Sequence, residues 1–371
     1  MKDLPIILTR GLAGRALFVA LFLAGFTALT GYATPRPAKS VNVASPPSRP
    51  EEIPVGVRIF FRPLPEKMPG SEDDTPEMIA LGYKLYFERG ISLTKSQSCN
   101  DCHFVERQRP GVDGLPTSPG AKGMAGTRNS PTVLNAGFQK VQFWDGRATD
   151  LVEQAKGPLL NPIEMAMATE QDVVNQLKNR QDLAAAFKLA FPDQPEPVTF
   201  DNVARAIAAF ERTLVTPSRF DRYLQGQTGA LALAEKRGLN TFMDMHCIEC
   251  HSSIPVGGRL LRKLGVYHPY ENQSDLGRFE VTHEEQDKFV FKVGMLRNVT
   301  LTAPYFHDGR VPTLSEAIRL MAWMQLDMEI SPAEIDEIVC FLRSLEAEKR
   351  DWIEVPAPPA AVSSHSPGGQ Y

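Results

Sequence analysis

The 371-residue sequence has few cysteines, no concentration of positive charge and no convincing run of alternating, strand-like residues. Five cysteines are too few for a disulfide scaffold. The 40 Lys and Arg and the 44 Asp and Glu are spread along the chain, so it lacks the basic stripe of a nucleic-acid-binding protein, and no such partner is expected. Apolar residues make up 43% of the chain, which excludes a disordered protein. A globular protein remains, and 30 prolines with 27 glycines indicate long loops between helices.

The N-terminal residues 1–33 are typical of an export signal. Basic residues precede an apolar run over residues 16–33, and the small residues Gly31 and Ala33 stand where a signal peptidase reads its −3 and −1 sites. We expect cleavage after Ala33. The alternative is an uncleaved membrane anchor, because the apolar run just reaches the lower limit for spanning a bilayer. Both alternatives place the rest of the chain outside the cytoplasm, in the periplasm.

Proline-rich segments flank the folded part. Residues 34–74 and 351–371 contain prolines without a periodic apolar pattern, which predicts a linker or wrapping arm and a flexible tail. Helical patterns fill the remainder, so the fold class is expected to be mainly α. We predict two helical domains, over residues 75–225 and 226–350.

Each predicted domain opens with a helix that leads into a Cys-x-x-Cys-His motif. The first helix is expected from the N-cap Thr75 to Gly90, and the second is expected to start near Gly229. Gly82-x-x-Leu85-x-Phe87 in the first helix corresponds to Gly238-Leu239-x-x-Phe242 in the second. The repetition indicates two related domains.

The two motifs are Cys99-Asn-Asp-Cys102-His103 and Cys247-Ile-Glu-Cys250-His251. Two thiols at this spacing can each add across a vinyl group of one haem, and the following His is then the proximal iron ligand. A redox dithiol would not need His after each pair, and a shared zinc would leave two of the six ligands without a role. We therefore predict two covalently bound c-type haems, one in each of two cytochrome c-like domains. The fifth cysteine, Cys340, is expected to be a buried, inert thiol of the last helix.

The scarcity of histidine bears on the sixth position of each iron. The seven histidines are His103, His246, His251, His268, His283, His307 and His365. Because none lies between His103 and His246, the first haem is predicted to be open to a small ligand, as a peroxidase needs. Met321 and its neighbours Met324 and Met328 follow the second motif. A thioether ligand there suits electron transfer, but methionines at helical spacing also occur in cores, so both interpretations stay open.

Four further stretches resemble the bacterial dihaem cytochrome c peroxidases, and the resemblance covers about residues 75–347. They are Arg128-Asn-Ser-Pro-Thr-Val-Leu-Asn135, Gln142-Phe-Trp-Asp-Gly-Arg-Ala148, Gly157-Pro-Leu-Leu-Asn-Pro-Ile-Glu-Met165 and Leu296-Arg-Asn-Val-Thr-Leu-Thr-Ala-Pro-Tyr-Phe-His-Asp-Gly309. The resemblance implies reduction of hydrogen peroxide at a low-potential haem in the N-terminal domain. It implies a high-potential His/Met haem in the C-terminal domain, which takes electrons from a small cytochrome c or copper protein. A homodimer is compatible with it.

The resemblance also assigns roles to individual residues. It implies that His103 is the proximal ligand of the peroxidatic haem, that His251 is that of the transfer haem, and that Met321 is the distal ligand of the transfer haem. Glu164 matches the acid of the distal pocket, and a carboxylate there can take the proton from the near peroxide oxygen and return it to the leaving one.

Gln154 and Pro158 match residues that line the same pocket. Trp144 matches a tryptophan between the two haems, where it either shortens the path of the electron or packs the domain interface, and both roles stay open.

Asn129, Thr302 and Pro304 match the oxygen donors of a calcium ion between the domains, a ligand set that a hard cation prefers. His307 and Arg297 are interpreted as structural residues near haem propionates.

The sequence departs from the family in the loop before the Asn-Ser-Pro-Thr motif. Many members have a histidine there that closes the peroxidatic haem until the other haem is reduced, whereas residues 113–127 contain none. Lys122 or Met124 remains as a weak alternative ligand, and the glycines of the loop predict that it is mobile. Gly294 also replaces a usual proline, a minor backbone change.

Two other functions stay open. The methylamine-utilisation dihaem enzyme, which oxidises tryptophans of a partner protein, is similar, but a tyrosine ligates its second haem where this chain has Met321. A plain dihaem electron carrier is the other alternative, and it would not need the acid Glu164.

Overall fold

The structure is a computed structural model and describes residues 54–106 and 109–348. The predicted export signal, residues 34–53 of the predicted linker and the predicted tail 351–371 lie outside the described residues. None of the helices in the described ranges is long and apolar enough to cross a membrane.

The described part of the chain is mainly helical, which confirms the expected fold class. Its α-helices are α1 (Val55–Phe60), α2 (Pro76–Tyr86), α3 (Cys99–Cys102), α4 (Leu151–Leu160), α5 (Glu170–Lys178), α6 (Gln181–Ala190), α7 (Phe200–Glu211), α8 (Arg219–Leu224), α9 (Leu233–Asp244), α10 (Phe279–Thr282), α11 (Leu314–Leu326) and α12 (Pro332–Arg343). Short 3-10 turns occupy Arg89–Ile91, Ala136–Phe138, Thr228–Ala230, Cys247–Glu249, Glu285–Asp287 and Val299–Leu301. Strands β1 (Leu261–Lys263) and β2 (Val290–Lys292) pair antiparallel, with Leu261 opposite Lys292.

The helix that precedes the first motif begins where its cap predicts and ends earlier than expected. The Thr75 hydroxyl accepts a hydrogen bond from the backbone N–H of Met78, and Pro76 follows in the first turn. Helix α2 ends at Tyr86 rather than at Gly90. The reason is local, because the Glu88 side chain accepts the N–H of Gly90 and starts a separate 3-10 turn.

Two helix crossings repeat the same close contact. In the first crossing, a Cβ added to Gly82 of α2 would lie 1.8 Å from the carbonyl oxygen of Ala206 on α7. In the second, a Cβ added to Gly238 of α9 would lie 1.8 Å from the carbonyl oxygen of Glu337 on α12. Each glycine therefore allows backbone contact between two helices that any side chain would prevent.

The ring pairs at the two crossings repeat as well. The ring centroids of Tyr86 and Phe210 are 5.1 Å apart, and those of Phe242 and Phe341 are 5.2 Å apart. Phe242 thus corresponds to Tyr86, and not to Phe87 as the sequence comparison expects. The residue four positions after each glycine faces the crossing because it lies one helical turn further on the same face.

Hydrophobic cores form around the two crossings. Buried apolar residues of α2 and α4–α7 pack in the first core, and those of α8, α9, α11 and α12 pack in the second. The segment before α2 is also packed. Its Val57 and Phe61 belong to the second core, and its Leu64 and Met68 form a smaller cluster with Phe138. Residues 54–68 therefore pack against the folded chain. In α12, Cys340 is half-buried rather than buried.

Candidate haem sites

The first Cys-x-x-Cys-His motif borders a cavity of about 430 Å³. Helix α3 is fixed at its start by reciprocal hydrogen bonds between Ser98 and Asp101, and His103 directly follows its last residue, Cys102. Cys99, Cys102 and His103 all line the cavity. One short capped helix thus presents two thiols and an imidazole to the same space.

The histidines of both motifs have the properties of an iron ligand. Nδ1 of His103 and of His251 is buried without a hydrogen-bond partner in the described chain. Burial lowers the pKa of both rings, to about 4 for His251, so that each is neutral and keeps a lone pair for a metal. Burial also raises the pKa of the Cys99 and Cys102 thiols. These residues fit a haem that is bound through two thiols and ligated by the ring.

The predicted pocket residues come together around this cavity from separate segments of the chain. The residues Asn129, Trp144, Gln154, Pro158 and Glu164 line it together with the first motif. Gln154 and Pro158 belong to α4, and Glu164 lies in the turn that follows that helix. The arrangement places an acid, an amide and an indole next to the motif that would hold the first haem.

The neighbours of Glu164 fix its carboxyl group in place and act on its pKa. Asn161 donates a hydrogen bond from Nδ2 to Oε1 of Glu164 over 2.7 Å. Burial raises the pKa of Glu164, and the nearby Arg147 and the bond from Asn161 oppose that shift in part. The Arg147 guanidinium is itself stacked 3.4 Å from the centroid of the Phe143 ring. A carboxyl group tuned in this way is suited to transfer a proton.

Trp144 is fixed by its polar atoms. Its indole Nε1 donates to the backbone carbonyl of Asn129 over 2.8 Å, and its own carbonyl accepts the N–H of Lys292 on β2 over 2.6 Å. The two contacts join the cavity wall to the small sheet. Both roles predicted for Trp144, in packing and in electron transfer, are compatible with this position.

The loop predicted to be mobile forms a defined turn. A Cβ on Gly120 would lie 1.6 Å from the carbonyl oxygen of Ile163, so the missing side chain allows the loop to pack against the segment of Glu164. The N–H of Ala121 also donates to the carbonyl of Glu164 over 2.7 Å. Met124, at 47% exposure, and the exposed Lys122 do not line the cavity. Neither alternative ligand is therefore placed to close the first site.

The residues predicted to bind calcium lie in two neighbouring segments. The N–H of Asn129 donates to the carbonyl of His307 over 2.7 Å, which places it beside the segment of Thr302 and Pro304. Nδ2 of Asn129 donates to two carbonyls of loop 113–127, and this leaves Oδ1 as an acceptor. No group of three His, Cys, Asp or Glu suited to a metal occurs in the described ranges. A cation here would depend on amide and carbonyl oxygens, which calcium accepts.

The second motif lies beside an aromatic ring and a guanidinium group, those of Phe242 and Arg262. Cys247 begins the 3-10 turn Cys247–Glu249 and Cys250 follows it, and the ring centroid of Phe242 lies 6.5 Å from that of the half-buried His251. Met321 is half-buried on α11, whereas Met324 is buried and Met328 is exposed. The structure places Met321 on an element of the second core, and its role as a ligand stays a prediction.

Arg297 and His307, both interpreted as structural residues near haem propionates, have different surroundings. Arg297 is fully buried, and its guanidinium donates to both carboxylate oxygens of Asp221 over 2.8 Å each. That pair neutralises the charge and supports a structural role, but leaves no free cation for a haem propionate. His307 is buried with both ring nitrogens unpartnered in the described chain, and its ring stacks on Phe291.

Sequence reasoning missed Glu211, which also lines the first cavity and is 5% exposed. A signal was present, because Glu211 follows the buried apolar run 206–210 on α7, where a charged side chain is unusual.

The chain resembles known proteins over most of its length. Residues 76–229 match the family described as di-haem cytochrome c peroxidase. A cytochrome c551 peroxidase from Pseudomonas aeruginosa is 41% identical over 331 residues, which cover 87% of this chain and 94% of that protein. The chain belongs to the di-haem cytochrome c peroxidase family. This confirms the resemblance seen in the motifs and the prediction that the protein is an enzyme.

The chain is also similar to proteins named MauG. The methylamine utilization protein MauG from Methylorubrum extorquens is 32% identical over 306 residues, 78% of this chain and 84% of that protein. A solved MauG-like protein associated with microbial copper homeostasis superposes with a TM-score of 0.67 at 27% identity, covering 80% of this chain and 95% of that one. The fold is therefore shared by named peroxidases and by MauG proteins.

Proposed function

We propose that the protein reduces hydrogen peroxide to water in the periplasm with electrons from a small cytochrome c or copper protein. Each peroxide takes two electrons and two protons and gives two molecules of water. Electrons enter at the site of His251 and Met321 and pass to the site of His103. The observation that carries this proposal is the half-buried acid Glu164, which lines the cavity of the first motif and whose pKa is raised by desolvation.

Both sites hold covalently attached haem in this proposal. Cys99 and Cys102 attach the first haem and His103 ligates it, and Cys247, Cys250 and His251 do the same for the second. The haem iron supplies a binding position for peroxide and an acceptor for single electrons.

The chain's own contribution to the reaction is proton transfer and positioning. The Glu164 carboxylate accepts the proton of the near peroxide oxygen and donates it to the far oxygen as the O–O bond breaks. The hydrogen bond from Asn161 fixes the carboxyl while it changes protonation state. Gln154 and Pro158 bound the space from α4, and this limits how a small substrate can lie.

The first site is open to peroxide in the oxidised protein. Residues 104–245 contain no histidine, and the exposed Met124 and Lys122 lie outside the cavity lining. Prior reduction of the second haem is therefore not required to expose the first.

A calcium ion bound by Asn129, Thr302 and Pro304 belongs to the same proposal. Its support is the oxygen-only donor set and the accepting Oδ1 of Asn129. The ion would hold together segments that also fix Trp144, because the Asn129 carbonyl accepts the indole N–H.

Oxidation of a partner protein, as in the methylamine-utilisation dihaem enzyme, is the second candidate function, and the MauG relatives support it. Met321 favours the peroxidase, since that enzyme has a tyrosine at this position.

The test uses the purified holoprotein with reduced cytochrome c and hydrogen peroxide, after a haemochrome assay for two haems per chain. Catalytic oxidation of the donor supports the proposal. Two intact haems without donor-dependent loss of peroxide would contradict it, and would favour a carrier or the oxidation of a partner protein.

A further inference from the structure

The two helix crossings place a carboxyl group in one site and an apolar side chain in the other. Phe210 and Phe341 occupy equivalent positions, each four residues after the carbonyl group that its glycine approaches. The next residues are Glu211, 5% exposed, and Leu342, 2% exposed. In the same comparison, Tyr86 of the first crossing is equivalent to Phe242 of the second. The positions that hold the polar residues Tyr86 and Glu211 at the first crossing thus hold the apolar residues Phe242 and Leu342 at the second.

Glu211 is buried, and the adjacent cation Arg212 offsets the effect of that burial on its pKa only in part. It ends α7 and lines the first cavity together with Cys99. The adjacent guanidinium of Arg212 donates two hydrogen bonds of 2.6 Å to Asp74 and is already neutralised. Within the described part of the chain, the Glu211 carboxyl forms no ion pair. A lone carboxyl in such surroundings keeps its proton more readily than an exposed one.

Few other groups near Glu211 can change charge once haem is attached. Tyr86 on α2 donates its hydroxyl proton to the carbonyl of His103 over 2.6 Å, and burial raises the pKa of its phenol far above neutrality. Cys99 and Cys102 would be thioethers. The remaining groups that line the cavity and can carry charge are Arg128, Asp145, Arg147, Glu164 and Glu280, and Arg128 is paired with Asp145 and Glu280.

We propose that Glu211 takes up one proton from solvent when one electron reaches the first haem, and releases it when the electron leaves. The second motif packs against a core that has Phe242 and Leu342 at the equivalent positions, so the second haem accepts an electron without this proton. The charge of the buried first site then stays constant, which removes the cost of adding an uncompensated negative charge in a medium of low polarity. This inference rests on the haem attachment in the proposed function, but not on peroxide turnover.

The direction of the pH effect follows from electrostatics. Burial raises the pKa of Glu211 to about 8, and the positive charge of an oxidised haem lowers it from there. Reduction removes that charge and raises the pKa again. Between these two values the reduced protein binds one more proton than the oxidised protein, so the midpoint potential of the first haem falls as the pH rises.

The test is a redox titration of both haems in the holoprotein from acidic to alkaline pH. In the wild-type protein, the midpoint potential of the first haem should fall as the pH rises within a window below pH 8. In Glu211→Gln this dependence of the potential on pH should be lost. Glu153→Gln removes an exposed carboxyl of α4 and is the matched control, with wild-type behaviour expected. The potential of the second haem should depend on pH in the same way in all three proteins. An unchanged slope in Glu211→Gln would overturn the proposal.

Infrared difference spectra provide a second measurement that works on the wild-type protein even if Glu211→Gln does not retain haem. Reduction of the first haem should produce the carbonyl band of a protonated carboxyl group. The band should persist in Glu164→Gln and disappear in Glu211→Leu, which copies the residue of the second crossing. A wild-type protein without the band, or a band lost in Glu164→Gln alone, would contradict the assignment. Neither measurement uses peroxide. A protein that fails to reduce peroxide can therefore still show proton uptake by Glu211, and the two proposals can fail independently.

Discussion

The two crossings share their geometry but not their chemistry. Gly82 and Gly238 bring their helices to the same backbone contact, and an aromatic pair repeats at nearly the same separation beside each. At the first crossing the neighbouring positions hold Tyr86 and Glu211, and at the second they hold apolar residues. In the proposed function, the same helical frame supports proton transfer at the first site and electron transfer alone at the second, and a few side chains make the difference.

The surroundings of the two motifs extend this contrast. Next to the first motif lies a cavity with the two acids Glu164 and Glu211, for each of which burial raises the pKa. Next to the second lies an aromatic ring, and the thioether of Met321 is on a helix of the same core. Reduction of peroxide needs protons as well as electrons, which is a physical reason for the two sites to differ.

The largest expected effect tests the acid of the first site. Glu164→Gln keeps the shape and the contact with Asn161 but cannot transfer a proton, so peroxide turnover should fall by roughly 10² to 10⁴ while both haems are retained. Steady-state kinetics with a reduced donor and a haemochrome assay measure this. Glu153→Gln on the exposed side of α4 is the control. Near-normal turnover of Glu164→Gln would leave the first site without its proposed proton carrier.

The repeated crossing is tested by adding one methyl group to each glycine. In Gly82→Ala and in Gly238→Ala the new Cβ meets a carbonyl oxygen, so each should lower the free energy of unfolding by about 1–3 kcal/mol. Gly229→Ala, where a Cβ meets nothing within 4 Å, is the control. Denaturant unfolding of the holoprotein measures all three. A large loss for only one of the two glycines would show that the crossings are not equivalent.

Met321→His tests whether Met321 sets the potential of the second haem. Replacing a thioether by an imidazole should lower the potential of the second haem by roughly tens to hundreds of millivolts and leave the first unchanged. Met328→His changes an exposed methionine just beyond the same helix and serves as the control. Spectroelectrochemical titration gives the potentials. If the potential of the second haem does not move in Met321→His, another side chain is its ligand.

The smallest effect is a spectral shift that tests whether the first site is open. One equivalent of peroxide added to the fully oxidised protein should shift the Soret band promptly, because neither Lys122 nor Met124 of loop 113–127 lines the cavity. Lys122→Ala and Met124→Ala should behave as the wild-type protein does. A shift that appears only after an electron donor is added would mean that another side chain closes the site.

Local patterns predicted the elements that depend on neighbouring residues. Thr75 caps α2 as predicted, because the hydrogen bonds of a cap form within one turn. The end of α2 was predicted incorrectly, since Glu88 starts a new turn. The glycine of loop 113–127 that packs against Ile163 was interpreted as a source of mobility, because its contact lies more than forty positions away in the sequence.

Local spacing and composition were enough to predict the family, the mainly helical fold class, the two Cys-x-x-Cys-His motifs and the lack of histidine over residues 104–245. The fold was needed to see that Glu164, Trp144 and Glu211 line one cavity, and that Leu342 is equivalent to Glu211 in the other core. Burial and charge compensation depend on contacts between distant segments, and a pattern along the chain does not contain them.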